Sequence, residues 1–413
     1  MNSRERFLEV MGNFNKKVPT VKWEFGYWGG TINNWYEQGL PKNNYAKLPD
    51  KYTTPATSSY VMAWNCENKF LKDDQYPQSM PITGGSVYSP NQGFPSDNDV
   101  RSRAGLDKPQ KLIDLNLMFY PMFEPKVLEE SDTELKYLDV DGVKRFYLKK
   151  DGFPGGYEWP IKDMKSWLEL KEERVNFDKI KDRFPKNWNE LIAEYNSRDY
   201  VLAIGGYPHG FFGLPATLMG YDTLFYKYYD EPKLIHDMLS TFTDLWIAIY
   251  SEVLKDVEVD VLHIWEDVSM GSGSMISVDT IREFMLPYYK KLTDFIKSQG
   301  VKVVLVDTDG YCMKIIPVLM EGGITGMYPF EVHTGMDVAE VRKKFPELAM
   351  MGGISKSEVA KGKHAIERML EPIEEVIKSS GYIPHCDHFI PPDVALDDFL
   401  YYRKRLNEII DSI

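Results

Sequence analysis

The sequence is poor in cysteine and lacks the common nucleotide-binding motifs. Only Cys66, Cys312 and Cys386 occur among its 413 residues. Three cysteines form no disulfide framework, so we expect a cytoplasmic protein in a reducing environment. No Cys-x-x-Cys pair, Walker loop or Gly-x-Gly-x-x-Gly segment is present. The sequence therefore offers neither of the glycine-rich loops that usually bind nucleotide phosphates.

Long apolar runs and an excess of positive charge are also missing. No run reaches the roughly 18 apolar residues of a membrane span, and the first residues, Met-Asn-Ser-Arg-Glu-Arg, lack the apolar core of a signal peptide. The net charge of −13 and the pI near 5.2 argue against nucleic acids and anionic membranes as partners. With 43% hydrophobic residues, the chain has ample material for one large core.

From residue 200 onward, apolar strands alternate with helices. The predicted strands are residues 200–206, 259–265, 301–306, 324–328, 348–352 and 381–386. This alternation predicts a parallel sheet with right-handed crossovers. At least six such units predict an α/β fold, a (β/α)8 TIM barrel that takes up the whole chain, 1–413, as one domain, with its first strands supplied by the N-terminal part. A doubly wound open sheet is the alternative.

Residues 42–160 precede these units and do not show the same alternation of strands with helices. Residues 42–110 are rich in Pro, Ser, Asn and Asp and show no sustained period, whereas residues 112–150 alternate like strands around a hairpin signal at 139–142. Long irregular stretches in compact domains usually serve as lids or binding insertions. We therefore predict an irregular and β-rich hairpin insertion at 42–160, with residues 42–110 over the carboxyl-terminal mouth of the barrel.

One predicted strand carries the clearest chemical signal. Residues 301–306 are almost entirely apolar and β-branched, and Asp307 and Asp309 follow directly, with Gly310 behind them. Strand periodicity places the two carboxylates on one face at the carboxyl end of the strand, where barrel enzymes carry their catalytic groups. The plainer alternative is that Asp307 caps a turn and Asp309 begins the next helix.

Polar residues follow the other predicted strands in the same way. They are His209, His263, Glu266, Asp267, Glu331, Lys356, His385, Cys386, Asp387 and His388. Cys386 and His388 share one predicted strand face and suit zinc, whose catalytic sites use three protein ligands and one open position. Any one of these side chains could equally be a satisfied core or turn residue. Their common position at strand ends is what favours a site.

Aromatic residues are dense near the N-terminus. Trp23, Tyr27, Trp28, Trp35 and Tyr36 lie close together in the sequence. Most aromatic stripes belong to a core, and that interpretation is favoured here. The alternative is a pocket wall in which Trp23, Tyr27 and Trp28 bind an aromatic or quaternary ammonium substrate, together with the strand-end residues His209 and Lys356.

Several segments resemble the uroporphyrinogen decarboxylase superfamily. They are residues 26–41, Ile-Trp-Glu-Asp-Val at 264–268, residues 277–289, Tyr-Pro-Phe-Glu at 328–331 with 335–337, Gly-Gly-Ile-Ser at 352–355, and 381–383 with His-Phe-Ile-Pro-Pro at 388–392. The resemblance implies a (β/α)8 barrel. The superfamily includes decarboxylases and cobalamin-dependent methyltransferases, which move methyl groups between corrinoid proteins and small molecules.

The chain departs from both branches at functional positions. Decarboxylases of the superfamily hold substrate carboxylates with an Arg-Gln-x-x-Arg-type segment, and the matching residues 24–35 contain no arginine. The methyltransferases bind zinc through His-x-Cys and a later cysteine, and Asp307, Asp309 and His388 stand at the matching positions. The resemblance therefore implies zinc on these three residues, with Cys386 as an alternative ligand, in the branch that demethylates methoxylated aromatics or similar donors.

Together these features predict a corrinoid-dependent methyltransferase. A methyl group would move between a small methylated substrate and a separate corrinoid protein, because the chain has no cobalamin-binding Asp-x-His-x-x-Gly segment. The metal would act as a Lewis acid on the leaving atom, while Glu266, Glu331 or His263, near Asp267, would manage the proton. The alternatives are a metal-free carboxy-lyase for a small carboxylated aromatic or pyrrolic compound, and a binding protein without catalysis.

Overall fold

The structure is a computed structural model that describes residues 1–43, 77–79, 85–86, 89–90, 97–148 and 154–413. Its strands are β1 (Tyr27–Trp28), β2 (Pro77–Ser79), β3 (Gly85–Ser86), β4 (Ser89–Pro90), β5 (Lys111–Leu112), β6 (Lys126–Glu130), β7 (Glu134–Leu138), β8 (Lys144–Leu148), β9 (Pro154–Glu158), β10 (Leu202–Gly205), β11 (Val261–Trp265), β12 (Ser269–Met270), β13 (Gly273–Ser274), β14 (Val303–Asp307), β15 (Gly326–Tyr328), β16 (Ala349–Met351) and β17 (Tyr382–Ile383). Its α-helices are Ser3–Phe7, Gly29–Glu37, Asn98–Ala104, Met164–Arg174, Trp188–Asn196, Gly213–Met219, Tyr221–Asp230, Pro232–Asp256, Val278–Thr280, Leu286–Ser298, Ile316–Glu321, Val338–Lys344, Lys356–Val359, Lys363–Lys378 and Leu396–Asp411. None of these helices is long and apolar enough to cross a membrane.

Seven strands form one curled parallel sheet in the order β5, β10, β11, β14, β15, β16, β17. This order follows the chain without the reversal that a doubly wound sheet requires, so the doubly wound alternative is wrong. All six strands predicted after residue 200 are present, and β5 comes from the N-terminal part, as expected. The last strand is shorter than the predicted 381–386, because pairing beyond Ile383 is reduced to an isolated bridge between Ile354 and Cys386.

An extended N-terminal segment contacts both edges of this sheet. Beside β5, the Lys22 carbonyl accepts from the backbone N–H of Asp107 at 2.9 Å. Beyond β17, the Gly26 carbonyl accepts from the N–H of Ile390 at 3.0 Å. Between them, Glu24 is fully buried and accepts from the N–H of Cys386 at 2.7 Å. The segment therefore links the chain just before β5 to the chain that follows β17.

The side chains of the sheet alternate between two apolar clusters. On β14, Leu305 points into the space that the sheet encloses, while Val304 points outward to the surrounding helices. This alternation follows from the two-residue period of a strand. Phe7 and Met11 enter the inner cluster from the N-terminus and fill it from the amino-terminal ends of the strands. The opposite, carboxyl-terminal ends are left for polar residues.

A separate four-stranded antiparallel sheet, β6 to β9, lies in the sequence between β5 and β10 of the parallel sheet. The hairpin signal at 139–142 is confirmed, because this turn joins β7 to β8. Arg145 holds the turn through two bonds of 2.7 and 2.6 Å to Asp141. Most of residues 42–110 lie outside the described residues, so their position over the mouth stays a prediction, as does the division into one barrel domain and an insertion at 42–160.

Asp114, just after β5, provides a test of buried charge. Burial raises its pKa to about 6, and no described residue donates a hydrogen bond to it. Folding therefore favours the neutral form of this carboxyl group. Its contribution to the free energy of unfolding is present at low pH and is lost as the pH rises through about 6. We expect Asp114→Asn to raise the free energy of unfolding by about 2 kcal/mol at pH 8 and to leave it unchanged at pH 4.

Urea unfolding at the two pH values measures this difference. The exposed Asp178 supplies the control, because Asp178→Asn makes the same chemical change without removing a buried charge. An equal gain for Asp114→Asn at pH 4 and pH 8 would contradict the prediction.

Candidate active site at the carboxyl end of the sheet

The register of the parallel strands brings three inward-facing residues to one level. Trp265 pairs with Asp307 across β11 and β14, and Asp307 pairs with Tyr328 across β14 and β15. Gly310 makes the turn after Asp309 with φ 78°, and a Cβ there would lie 2.6 Å from the Ser269 backbone. Only glycine lets the two loops approach so closely.

The acids that follow these strands form one interacting group. Burial raises the pKa of Asp307 well above its usual range, and the charges of Asp309, Asp267 and Glu331 raise it further. The pKa of Asp309 is raised in the same way, first by burial and then by the charges of Asp267 and Glu331, whereas the charge of Lys356 lowers it. Burial and Glu331 raise the pKa of Asp267 to about 6. The mouth therefore concentrates negative charge and holds protons near neutral pH.

Glu266 lies behind this group rather than in it. Its carboxylate accepts from the backbone N–H groups of Phe211, Phe212 and Gly213 at 2.9, 2.6 and 3.2 Å. The Tyr289 hydroxyl also donates to it. Burial raises its pKa to about 7, although these hydrogen bonds lower it. All of these partners belong to the protein, so Glu266 anchors the loop after β10 and we assign it a structural role.

We expect Glu266→Leu to lower the free energy of unfolding by about 3 kcal/mol, because three backbone N–H groups and one hydroxyl lose their buried acceptor. Guanidinium unfolding measures this loss. Tyr289→Phe removes only one of the four bonds and should cost about 1 kcal/mol. Equal losses for the two variants would show that Glu266 does not anchor the loop.

Two other acids tie the mouth loops to one another. Glu331, after β15, accepts from the N–H of Gly310 at 3.0 Å. Asp387, after β17, accepts from the N–H groups of Val332 at 2.9 Å and Lys356 at 3.1 Å. These bonds join the loops after β14, β15, β16 and β17. In contrast, no described residue donates a hydrogen bond to the side chains of Asp307 or Asp309, so both carboxylates are open to the mouth.

His388 completes the open part of the site. Its Nε2 lies 3.6 Å from Oδ2 of Asp309, and its ring packs against Phe25 with the ring centroids 4.8 Å apart and the planes tilted by 31°. Burial, followed by the charges of Lys356 and His333, lowers the pKa of His388 to about 3, so the imidazole is neutral. Asp309 and His388 are the two predicted metal ligands that the structure brings together.

The predicted zinc site requires a third ligand at the same point. Among the described residues, no group of three or more His, Cys, Asp and Glu side chains is arranged to hold a metal ion. As placed, Asp307, Asp309 and His388 therefore do not fit a zinc ion with three protein ligands. Zinc binding stays a prediction.

Other predicted site residues lie in the packed interior. His209 is fully buried, with Nδ1 3.0 Å from the His263 carbonyl and its ring edge-on to Trp246. Cys386 is also fully buried and faces the Tyr402 hydroxyl instead of sharing a face with His388. Cys386 and His388 do not share a strand face, because β17 ends at Ile383 and the chain beyond it is not a regular strand.

The N-terminal aromatic residues have the contacts of core side chains. Trp23 donates through Nε1 to the Lys108 carbonyl at 2.8 Å, and Tyr27 packs against Trp35 and Phe399 at 5.6 and 5.8 Å. The side chain of Trp28 lies outside the described residues. We propose no substrate contact for Trp23 or Tyr27.

The structure also adds residues that the strand-end search missed. Tyr328 is the last residue of β15 and bonds to His263. Tyr207 packs edge-on to Trp265 at 4.7 Å and adds an aromatic wall. Tyr328 was accessible from the sequence, because it lies two residues after Gly326 and ends the inward-facing series of that strand. The position of Tyr207 depends on a loop that sequence periodicity does not describe.

The fold and the site together define an α/β enzyme whose polar residues gather at the carboxyl ends of parallel strands. The uroporphyrinogen decarboxylase (URO-D) family profile matches residues 197–408. The chain belongs to the uroporphyrinogen decarboxylase family.

Curated relatives and a solved structure agree with this family. The chain is 25% identical over 232 residues to a uroporphyrinogen decarboxylase of Sulfurovum sp., covering 53% of this chain and 63% of that protein. It is 25% identical over 173 residues to one of Chlorobium limicola, covering 40% of this chain and 46% of that protein. A methyltransferase from Methanosarcina mazei is similar over 100% of this chain and 99% of its own, with 14% identity and a TM-score of 0.53. The last likeness shows a shared fold.

Proposed function

We propose that this enzyme transfers a methyl group from a small methylated compound to the corrinoid of a partner protein. The observation that carries the proposal is the cluster of carboxyl groups at the mouth, where Asp267 and Glu331 raise the pKa values of Asp307 and Asp309. Such a mouth offers mainly acids, whereas a buried substrate with several carboxylates requires cationic partners. Its aromatic wall and neutral His388 suit a small neutral molecule instead. The fold shared with a methyltransferase over the full length of both chains supports the same choice.

The chemistry requires the protein mainly to bind, orient and protonate. The bond between the methyl carbon and oxygen breaks, and its electron pair stays on the oxygen. The methyl carbon bonds to the reduced Co(I) corrinoid, a co-substrate that supplies the electron pair of the new bond. The oxygen then takes up one proton. Asp307, with Asp267 and Glu331 beside it, lies at the mouth to exchange that proton, and Lys356 lies beside Asp309 to balance part of its charge.

We propose in addition that the curled sheet closes into an eight-stranded barrel, with residues 21–27 between β5 and β17. The backbone bonds of Lys22 to Asp107, before β5, and of Gly26 to Ile390, after β17, support this closure. The inner cluster supports it too, because Val21, Trp23 and Phe25 join inward-facing residues of the other strands. A closed barrel would give the mouth a complete rim for the corrinoid partner to cover.

The buried, unpaired thiols of Cys312 and Cys386 support a reducing, cytoplasmic location.

The second candidate function is decarboxylation of a small carboxylated aromatic or pyrrolic compound. It is favoured by the curated relatives, which are uroporphyrinogen decarboxylases. Parallel assays separate the two functions. One offers a methoxyphenol with chemically reduced cobalamin and follows the cobalamin absorbance. The other offers uroporphyrinogen and pyrrole carboxylic acids and follows carbon dioxide release. We expect turnover in the first assay only; carbon dioxide release alone would favour the second function.

A further inference from the structure

A chain of three buried polar side chains runs beneath the mouth. Nδ1 of His263 lies 2.9 Å from the Tyr328 hydroxyl, and Nε2 lies 3.2 Å from Oε1 of Gln110. All three side chains are at least 98% buried. Burial lowers the pKa of His263 to about 3, so the imidazole is neutral and has one donor and one acceptor nitrogen. His263 therefore cannot exchange a proton with the substrate, because both nitrogens have partners inside the protein.

The phenol of Tyr328 reaches the level of the open carboxylates. Tyr328 is in register with Asp307, while His263 is in register with Leu305, one inward-facing position lower on β14. The Tyr328 ring leaves β15 and bonds to β11, so it crosses the inner face of β14 below Asp307. The charges of Asp307 and Asp309 raise the pKa of Tyr328 further after burial has raised it, which confirms their proximity. The phenol forms the floor of the mouth and keeps its proton.

The direction of the hydrogen bonds follows from an unpaired atom. With Oε1 of Gln110 facing His263, Nε2 of Gln110 is buried and has no hydrogen-bond partner among the described residues. Buried N–H groups without partners are rarer than carbonyls without partners, and amide nitrogen and oxygen are exchanged by a simple rotation of the side chain. Turning the amide lets Nε2 of Gln110 donate to Nε2 of His263. His263 must then carry its proton on Nδ1 and donate to the Tyr328 oxygen.

We propose that His263 carries its proton on Nδ1 and so positions Tyr328 as a catalytic hydrogen-bond donor to the substrate oxygen that loses its methyl group. The assignment of Tyr328 to that oxygen rests on the proposed methyl transfer. With its oxygen accepting from His263, Tyr328 has its own O–H free to point into the mouth, toward Asp307. When substrate is bound, the same O–H meets the oxygen on which the electron pair of the broken bond collects.

A donor fixed in this way stabilises charge that develops in the transition state. Removing one such donor typically lowers kcat by about 100- to 1,000-fold. His263 acts through Tyr328 and is a positioning residue. Asn at this position places an amide N–H where Nδ1–H was, whereas Leu supplies no donor.

The tautomer is tested on the protein alone. Labelling the seven histidines with ¹⁵N and recording long-range ¹H–¹⁵N spectra shows which ring nitrogen of His263 is protonated, with His263→Asn as the assignment control. We expect the proton on Nδ1. A proton on Nε2 would overturn the proposal, because Tyr328 would then have to donate to His263 and not to the substrate.

The role of Tyr328 is tested with a methoxyphenol and reduced cobalamin. We expect Tyr328→Phe to lower kcat about 100- to 1,000-fold with little change in KM, and His263→Asn to keep more activity than His263→Leu. Tyr382→Phe is the matched control, since Tyr382 lies two strands away and its hydroxyl donates outward to the Gly352 carbonyl. Equal kcat for Tyr328→Phe and Tyr382→Phe would overturn the proposal. If wild-type protein transfers no methyl group, the proposed function fails, and the tautomer still decides the role of His263.

Discussion

Arg403→Met is expected to lower the free energy of unfolding by about 3–5 kcal/mol. Arg403 and Glu24 are both fully buried, and Nη1 of Arg403 lies 3.3 Å from Oε2 of Glu24. The same guanidinium donates to the Trp23 carbonyl at 3.1 Å and to Oδ1 of Asn407 at 3.0 Å. Removing it leaves a buried carboxylate without its counter-charge. Urea unfolding measures the loss.

Two further variants locate the cause of this loss. Adding Glu24→Gln to Arg403→Met should restore part of the stability, because the amide oxygen still accepts from the Cys386 N–H and carries no charge. Arg405 lies on the same helix and pairs with Glu367 at 2.8 Å on the surface, so Arg405→Met should cost about 0–1 kcal/mol. Equal losses for Arg403→Met and Arg405→Met would show that the buried pair does not hold the C-terminal helix to residues 23–24.

Asp307→Asn is expected to lower the rate of methyl transfer at least 100-fold, in the range by which positioned acid–base groups accelerate reactions. The carboxylate lies at the level of Tyr328, has no hydrogen-bond donor among the described residues, and is repelled by Asp309, Asp267 and Glu331. A residue kept in so unfavourable a place is expected to serve catalysis at the cost of stability. The same variant should therefore raise the free energy of unfolding at pH 8.

Rates with a methoxyphenol and reduced cobalamin, together with urea unfolding, test both parts of this prediction. Asp279→Asn changes the net charge by the same amount at an exposed position and should alter neither quantity. A variant of Asp307 that is both active and less stable than the wild type would contradict the prediction.

The sequence was sufficient for the order of the sheet and for the strand ends that meet at its mouth. Short apolar strands were recognisable after residue 200, and Asp307, Asp309, Lys356 and His388, all expected at strand ends, lie near one another in the structure. These features depend on local periodicity and on one general property of parallel sheets.

The partners of the individual side chains could not be predicted in the same way. Glu266 has the same sequence context as a catalytic acid, and its structural role depends on backbone N–H groups at 211–213, far away in the chain. Cys386 and His388 were assigned to one face because a strand was expected to continue past Ile383. His263 has a polar partner, Gln110, in the loop before β5. Such pairings depend on the closure of the fold, and sequence spacing does not contain them.

The most direct test of methyl transfer follows the methyl carbon itself. The protein is incubated with a methoxyphenol that carries a ¹³C-labelled methoxy group and with chemically reduced cobalamin in place of the partner's corrinoid, and the products are identified by ¹³C NMR. We expect labelled methylcobalamin and the demethylated phenol to appear in equal amounts, and only when the protein is present. Absence of label on cobalt, in a sample that releases carbon dioxide from uroporphyrinogen or a pyrrole carboxylic acid, would contradict the proposed function.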